Sequence, residues 1–96
     1  MKLITKEWLS LAEDDLASAK KLIEDIRLTN IVAFHCQQCI EKSLKALIEE
    51  KLEVSVKSHD LLRLSDISDL SLSEDEMIIM ATINEVYIDS RYPGDI

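Results

Sequence analysis

The sequence predicts an all-α protein, an up-and-down helical bundle, on three observations. Glycine and proline occur once each and aromatic residues make up 4 %, whereas a β-sandwich or barrel needs turn residues at many strand ends. Apolar residues recur at helical spacing through most of the chain. The three long helices so marked are joined by short connections, the pattern of neighbours in a bundle. At 96 residues, 47 % of them hydrophobic and 31 % charged, residues 1–96 are expected to form one ordered domain with a modest core.

The first helix is predicted from Thr5 to Arg27, with Thr5 as N-cap and Glu7 in the first turn, where the helix dipole favours an acid. At 100° per residue, Trp8, Leu11, Ala12, Leu16, Ala19, Leu22, Ile23 and Ile26 share one arc. Glu13, Asp14, Lys21 and Glu24 occupy the opposite side. Asp15 breaks the pattern, because it projects near the middle of the apolar arc. Leu28 to Asn30 connect to a second helix, Ile31 to Lys51. Its core stripe is read as Val32, Ala33, Cys36, Cys39, Ile40, Leu44 and Leu47. Phe34 and Ile48 make a second apolar strip beside Gln37 and Glu41, to be covered by another helix or another subunit. Ser58 is placed as cap of a short helix over Asp60 to Leu64, after a loop from Leu52. Ser65 to Leu72 reads as a loop. Ser73 and Glu76 have capping-box spacing and open a third long helix to about Ser90. Its inward face is read as Met77, Met80, Ala81, Tyr87 and Ile88, with Asn84 and Arg91, and Pro93 and Gly94 end it.

The net charge of −8 is unevenly spread: residues 64–96 carry eight acids and one base, Arg91. Such a chain is a poor general binder of nucleic acid, which needs local positive charge, although a local site stays open. No stretch is apolar enough to span a membrane, and the start, MKLITKEW, lacks a signal peptide's apolar run. The expected compartment is the cytoplasm, with Cys36 and Cys39 as reduced thiols. The lone glycine excludes a glycine-rich phosphate loop, and no metal or cofactor motif is present.

Several side chains are candidates for a site, each with a plainer alternative. Asp15 on an apolar arc needs a partner, because a lone buried carboxylate is unfavourable. Arg91 is the obvious one, and Asp15, Asn84 and Arg91 could line a polar cleft. The alternative is a structural ion pair, or an arc edge that reaches water. His35, Gln38 and Lys42 form a polar row where Lys42 and Lys45 could hold a phosphate and His35 could donate to it. The alternative is a solvated flank with a Glu41–Lys45 pair at i, i+4. His59 could line a cleft or orient its loop. Cys36-Gln37-Gln38-Cys39 is formally C-x-x-C. It lies inside a helix on the apolar stripe, so both thiols read as core residues, neither redox-active nor metal-bound. Met77 and Met80 read as core filler.

Four blocks then carry a resemblance. They are Trp8-Leu9-x-x-Ala12-x-x-Asp15-Leu16-x-x-Ala19, the run Phe34-His35-Cys36-Gln37-Gln38-Cys39-Ile40-Glu41-Lys42-Ser43-Leu44-Lys45-Ala46-Leu47, then Lys57-Ser58-His59-Asp60-Leu61, and finally Asp89-Ser90-Arg91-Tyr92-Pro93-Gly94-Asp95. In this order they resemble the prokaryotic HEPN family, over nearly the whole chain. The resemblance implies a helical bundle that commonly forms a homodimer. It also implies partnership with a separately encoded nucleotidyltransferase, as in toxin–antitoxin pairs. Some members are metal-independent ribonucleases with an Arg followed four to six residues later by His. Arg91 matches the Arg, but the sequence ends at Ile96 without that His, and without the further helix that often follows the R-Y-P block. The expectation is therefore a module that binds a nucleotide, an RNA end or a partner protein, with Asp15, His35, Gln38, Lys42, His59 and Arg91 as ligand-binding candidates. The competing expectation is a ribonuclease in which Arg91 stabilises the reacting phosphate and His35 or His59 replaces the missing base.

Overall fold

The computed structural model describes residues 1–90, except for the side chains of residues 89 and 90. Arg91, Tyr92, Pro93 and Gly94, and every role expected of them, therefore lie outside the described residues. The described residues are helical with no strand: α1 is Leu3–Leu22, α2 Thr29–Leu52, α3 Leu61–Ile67 and α4 Glu74–Ser90, with a 3-10 turn at Ile26–Leu28. No helix among them is long and apolar enough to cross a membrane.

α1 starts earlier and ends sooner than periodicity predicted. Thr5 is no cap. It lies buried inside the helix, and its hydroxyl donates to Glu50 Oε1 at 2.9 Å. Lys2 holds the N-cap position. Its backbone N–H also donates to Glu50 Oε1, and its Nζ donates to Glu49 O at 3.1 Å, at the carbonyl end of α2 where a cation is favoured. At the other end, Asp25 accepts from the Arg27 N–H at 3.0 Å and from its guanidinium at 2.8 Å. This local bonding competes with the helix ladder and turns the chain into α2. The ties from residue 5 to residue 50 and from residue 15 to residues 35 and 42 make α1 and α2 antiparallel. Ala12, Ala19 and Ala46 are buried along this seam, and such short side chains let helices approach closely. Leu11, Leu16, Ile23 and Ile26, read as core, are instead exposed. The apolar arc is wider than the strip one neighbour can cover.

α2 is the central helix. Its buried residues are Gln37, Glu41, Leu44, Ala46 and Ile48. Of the two covers expected for the strip through Phe34 and Ile48, with Gln37 and Glu41 between them, the structure shows neighbouring helices. The strip packs against α3 and α4 around Leu44, Ile48, Leu61 and Leu64, joined by Ile40, Val56, Ile67, Met80 and Ile83. α2 ends with Glu53 in the left-handed region (φ 57°), its N–H bonded to Glu49 O.

The α3 cap is Asp60, which accepts from the N–H groups of Leu62 and Arg63, while Ser58 Oγ takes the Asp60 N–H. A carboxylate one residue from the helix start is a better acceptor for those donors than the serine two residues further back. Ser65 and Ser68, expected in a loop, are buried and bond back to Leu61 O and Ser65 O, which extends and seals α3. At α4 the predicted capping box forms: Ser73 N–H donates to Glu76 Oε1 at 2.9 Å and Glu76 N–H to Ser73 Oγ at 3.1 Å. The inward face of α4 is Met80, Ile83, Asn84 and Tyr87; Met77, Ala81 and Ile88 face out. With Ile78, Ile79 and Ile88 exposed as well, α4 is apolar nearly all round. Its own pattern therefore cannot choose a face.

Candidate functional site

Two carboxylate–imidazole pairs flank α2. The first lies on the α1 side. Asp15, 9 % exposed in its side chain, accepts from His35 Nδ1 at 2.8 Å and from Lys42 Nζ at 2.6 Å. Arg91, expected as its partner, lies outside the described residues, and α2 supplies the partners seen. His35 and Lys42 sit seven residues apart, two turns, so both point to the same side and close on one carboxylate. The expected row is thereby split. His35 and Lys42 meet at Asp15, while Gln38 turns away and donates to Gln37 Oε1 at 2.7 Å and Glu41 Oε1 at 3.3 Å. Asn84, expected near Asp15, is engaged elsewhere.

The second pair lies on the α3–α4 side. Glu41 is 5 % exposed in its side chain, and Gln37 beside it is fully buried. Glu41 Oε1 accepts from Gln37 Nε2 at 3.0 Å and from His59 Nδ1 at 2.9 Å, and Oε2 accepts from Lys45 Nζ at 3.0 Å. Lys45 also lies over the Trp8 ring at 5.6 Å, a cation–π contact from α1. Burial pushes the Glu41 carboxyl up. The hydrogen bonds from Gln37, His59 and Lys45, with the Lys45 charge, outweigh it and hold the group below its ordinary value of 4.5. Glu41 is therefore an ionised carboxylate inside the protein. The Gln37 amide also donates to His59 O at 2.9 Å, which fixes the backbone of the 53–60 loop against α2.

His59 extends from this network to the surface, with a side chain 61 % exposed. It lines a cavity of about 250 Å3 together with Asp60, Asn84, Tyr87 and Ile88. Asn84 ties α4 to the start of α3: its Oδ1 accepts from the Leu61 N–H at 3.0 Å and its Nδ2 donates to Asp60 Oδ1 at 2.9 Å. Tyr87 is buried, stacks on Phe34 at 5.9 Å and tilts towards His59 at the same distance. The wall of the cavity is thus fixed by three helices.

Of the sequence candidates, the structure joins Asp15, His35 and Lys42 in one cluster and Gln38 and His59 in another. The reading of Glu41 and Lys45 as a solvated flank pair is half right: the i, i+4 bond exists, but it is buried. Gln37, Asp60 and Tyr87 were not singled out as site residues. A signal was available for Gln37 and Glu41, two polar residues inside the Phe34–Ile48 strip, the same anomaly that marks Asp15. Cys36 and Cys39 are free and half-buried. Burial and then the nearby Asp15 charge raise the Cys39 thiol above its ordinary value, so it is a poor nucleophile. No group of three His, Cys, Asp or Glu side chains among the described residues could hold a metal ion.

Comparison with known families gives one match: the family model described as HEPN domain covers residues 5–96. No curated protein and no solved structure matches the chain.

Proposed function

The chain belongs to the HEPN domain family, and on that premise we propose that it is a binding module for a nucleotide or an RNA end, working beside a nucleotidyltransferase in a two-gene, toxin–antitoxin-like pair. The observation that carries this reading is the cavity at His59. It is concave, partly apolar, and holds a few polar groups fixed by the fold, which is the form of a small-ligand site. Its Ile88 wall precedes Arg91 by three residues in the sequence, so the one base of the acidic third is close in the chain. Lys42, expected to hold phosphate, is committed to Asp15 and contributes less free charge than its position in the sequence implied. Titration of the purified protein with ribonucleotides by calorimetry tests the reading. Saturable heat that is lost in Arg91→Ala is expected, and no heat with any nucleotide defeats it. The partner reading expects a co-expressed nucleotidyltransferase to elute with the domain. A homodimer through outer helix faces is supported by exposed Leu11, Leu16 and Ile23 on α1 and Ile78, Ile79 and Ile88 on α4. A monomeric mass in solution defeats that part.

The ribonuclease reading keeps one observation in its favour. Both His35 and His59 are anchored through Nδ1 on a carboxylate, the arrangement that orients an imidazole as a base. RNA cleavage in chelator that disappears in Arg91→Ala and in His59→Ala would replace the binding reading with this one.

A further inference from the structure

The His59 imidazole is more than the neutralising partner of Glu41. Glu41 already has the Lys45 charge and the Gln37 amide within hydrogen-bond distance, both inside the protein. A ring needed only to complete that network gains nothing by standing 61 % exposed at a cavity wall. An ionised carboxylate can only accept, so the 2.9 Å contact requires the hydrogen on Nδ1. In its neutral form the ring then has its lone pair on Nε2, the nitrogen that the Glu41 contact does not engage, and the ring lines the cavity. The neighbouring wall group, Asp60, is an acceptor too, and Asn84 Oδ1 is occupied by the Leu61 N–H. The acceptors this corner offers are therefore His59 Nε2 and the Asp60 carboxylate, whose Oδ1 already takes the Leu62 and Arg63 N–H groups and Asn84 Nδ2. The Asp60 carboxylate disfavours a phosphate there and favours a neutral group that donates.

We propose that His59 Nε2 accepts a hydrogen bond from a sugar hydroxyl of the bound nucleotide, and that Glu41 is the positioning residue that keeps this acceptor facing outward. The inference rests on the nucleotide-binding reading above and adds the part of the ligand that this corner recognises. The phosphate lies away from Asp60. Discrimination is that of one hydrogen bond on a largely exposed ring, because water can take the place of a missing hydroxyl there.

Two measurements on the full chain test the proposal. Nitrogen-15 shifts of the His59 ring report which nitrogen carries the hydrogen. Nδ1–H is expected in the native protein, with a change to mainly Nε2–H in Glu41→Gln, whose amide can donate to Nδ1. An unchanged ring in that variant overturns the positioning role. In the second measurement a ribonucleoside 5′-monophosphate and its 2′,3′-dideoxy counterpart are titrated in parallel. A preference of about ten-fold for the ribose form is expected, the size of one hydrogen bond. It should vanish in His59→Phe while affinity for the dideoxy form stays, and His59 is exposed enough for that variant to fold if Glu41→Gln does not. Equal affinities in the native protein overturn the hydroxyl contact and leave nucleotide binding intact. Failure to bind either nucleotide overturns the nucleotide reading and the hydroxyl contact together, while the ring shifts still decide the role of Glu41.

Discussion

The two faces of α2 hold the same pair of groups in different settings. On the α1 face, Asp15 and His35 stand on rigid helices, with His35 25 % and Lys42 21 % exposed, and the carboxylate joins two helices. On the α3–α4 face, Glu41 receives donors from its own helix, and its imidazole comes from a loop and stands largely in solvent. The first arrangement fastens α1 to α2. The second links a carboxylate in the interior to an imidazole at a cavity wall. Identical chemistry thus serves cohesion in one place and orientation in the other, and the difference lies in where the imidazole ends.

The largest effect should separate the two carboxylates. Glu41→Ala leaves the largely covered Lys45 without its counterion and Gln37 with only the His59 carbonyl as acceptor, a loss of about 3–5 kcal/mol. Asp15→Ala frees the Lys42 cation and the His35 imidazole, both of which already reach water, so the loss is about 1–2 kcal/mol. Urea unfolding of both variants checks this, and equal losses would break the distinction. Acid should act through the same site. The Glu41 carboxyl is depressed in the folded state, so its contribution is present above its ordinary value of 4.5 and declines as pH falls through the lower folded value. Stability measured downward from about pH 6, where carboxylates are ionised, should decline less steeply in Glu41→Gln than in the native protein. Parallel profiles would remove Glu41 from the acid response.

A smaller effect tests whether the cavity wall depends on the α3 cap. Asp60→Ala removes the cap and one of the two Asn84 bonds, and should lower stability by about 1–2 kcal/mol while loosening the His59 loop, seen as faster amide exchange at Leu61 and Leu62. Normal protection there would show that Asn84 alone suffices. The smallest effects belong to the imidazoles. His35→Ala should lose about 1 kcal/mol, and His59→Ala less than about 0.5 kcal/mol, because an exposed ring adds little to the folded state. A reversed order would make His59 the structural residue and His35 the free one.

Much of the fold was legible in the sequence because helix periodicity and capping are local. The Ser73–Glu76 box forms as read, three long helices form in the expected order although α1 ends five residues short of Arg27, and the four blocks resemble the family whose model covers residues 5–96. Asp15 was legible as an anomaly because a carboxylate on an apolar arc demands an explanation from its own helix alone. Its partners were not legible. His35 and Lys42 reach it only because α2 runs antiparallel to α1, and no pattern within either helix states that register. The same holds for Thr5, which bonds Glu50 forty-five residues away instead of capping its own helix. The buried faces of α2 and α4 were decided by tertiary packing, because α2 has neighbours on two sides and α4 is apolar nearly all round. Periodicity fixes how side chains are arranged about their own helix axis; which of those faces meets a neighbour, and so which carboxylate carries His59 to the cavity, is settled when the helices dock.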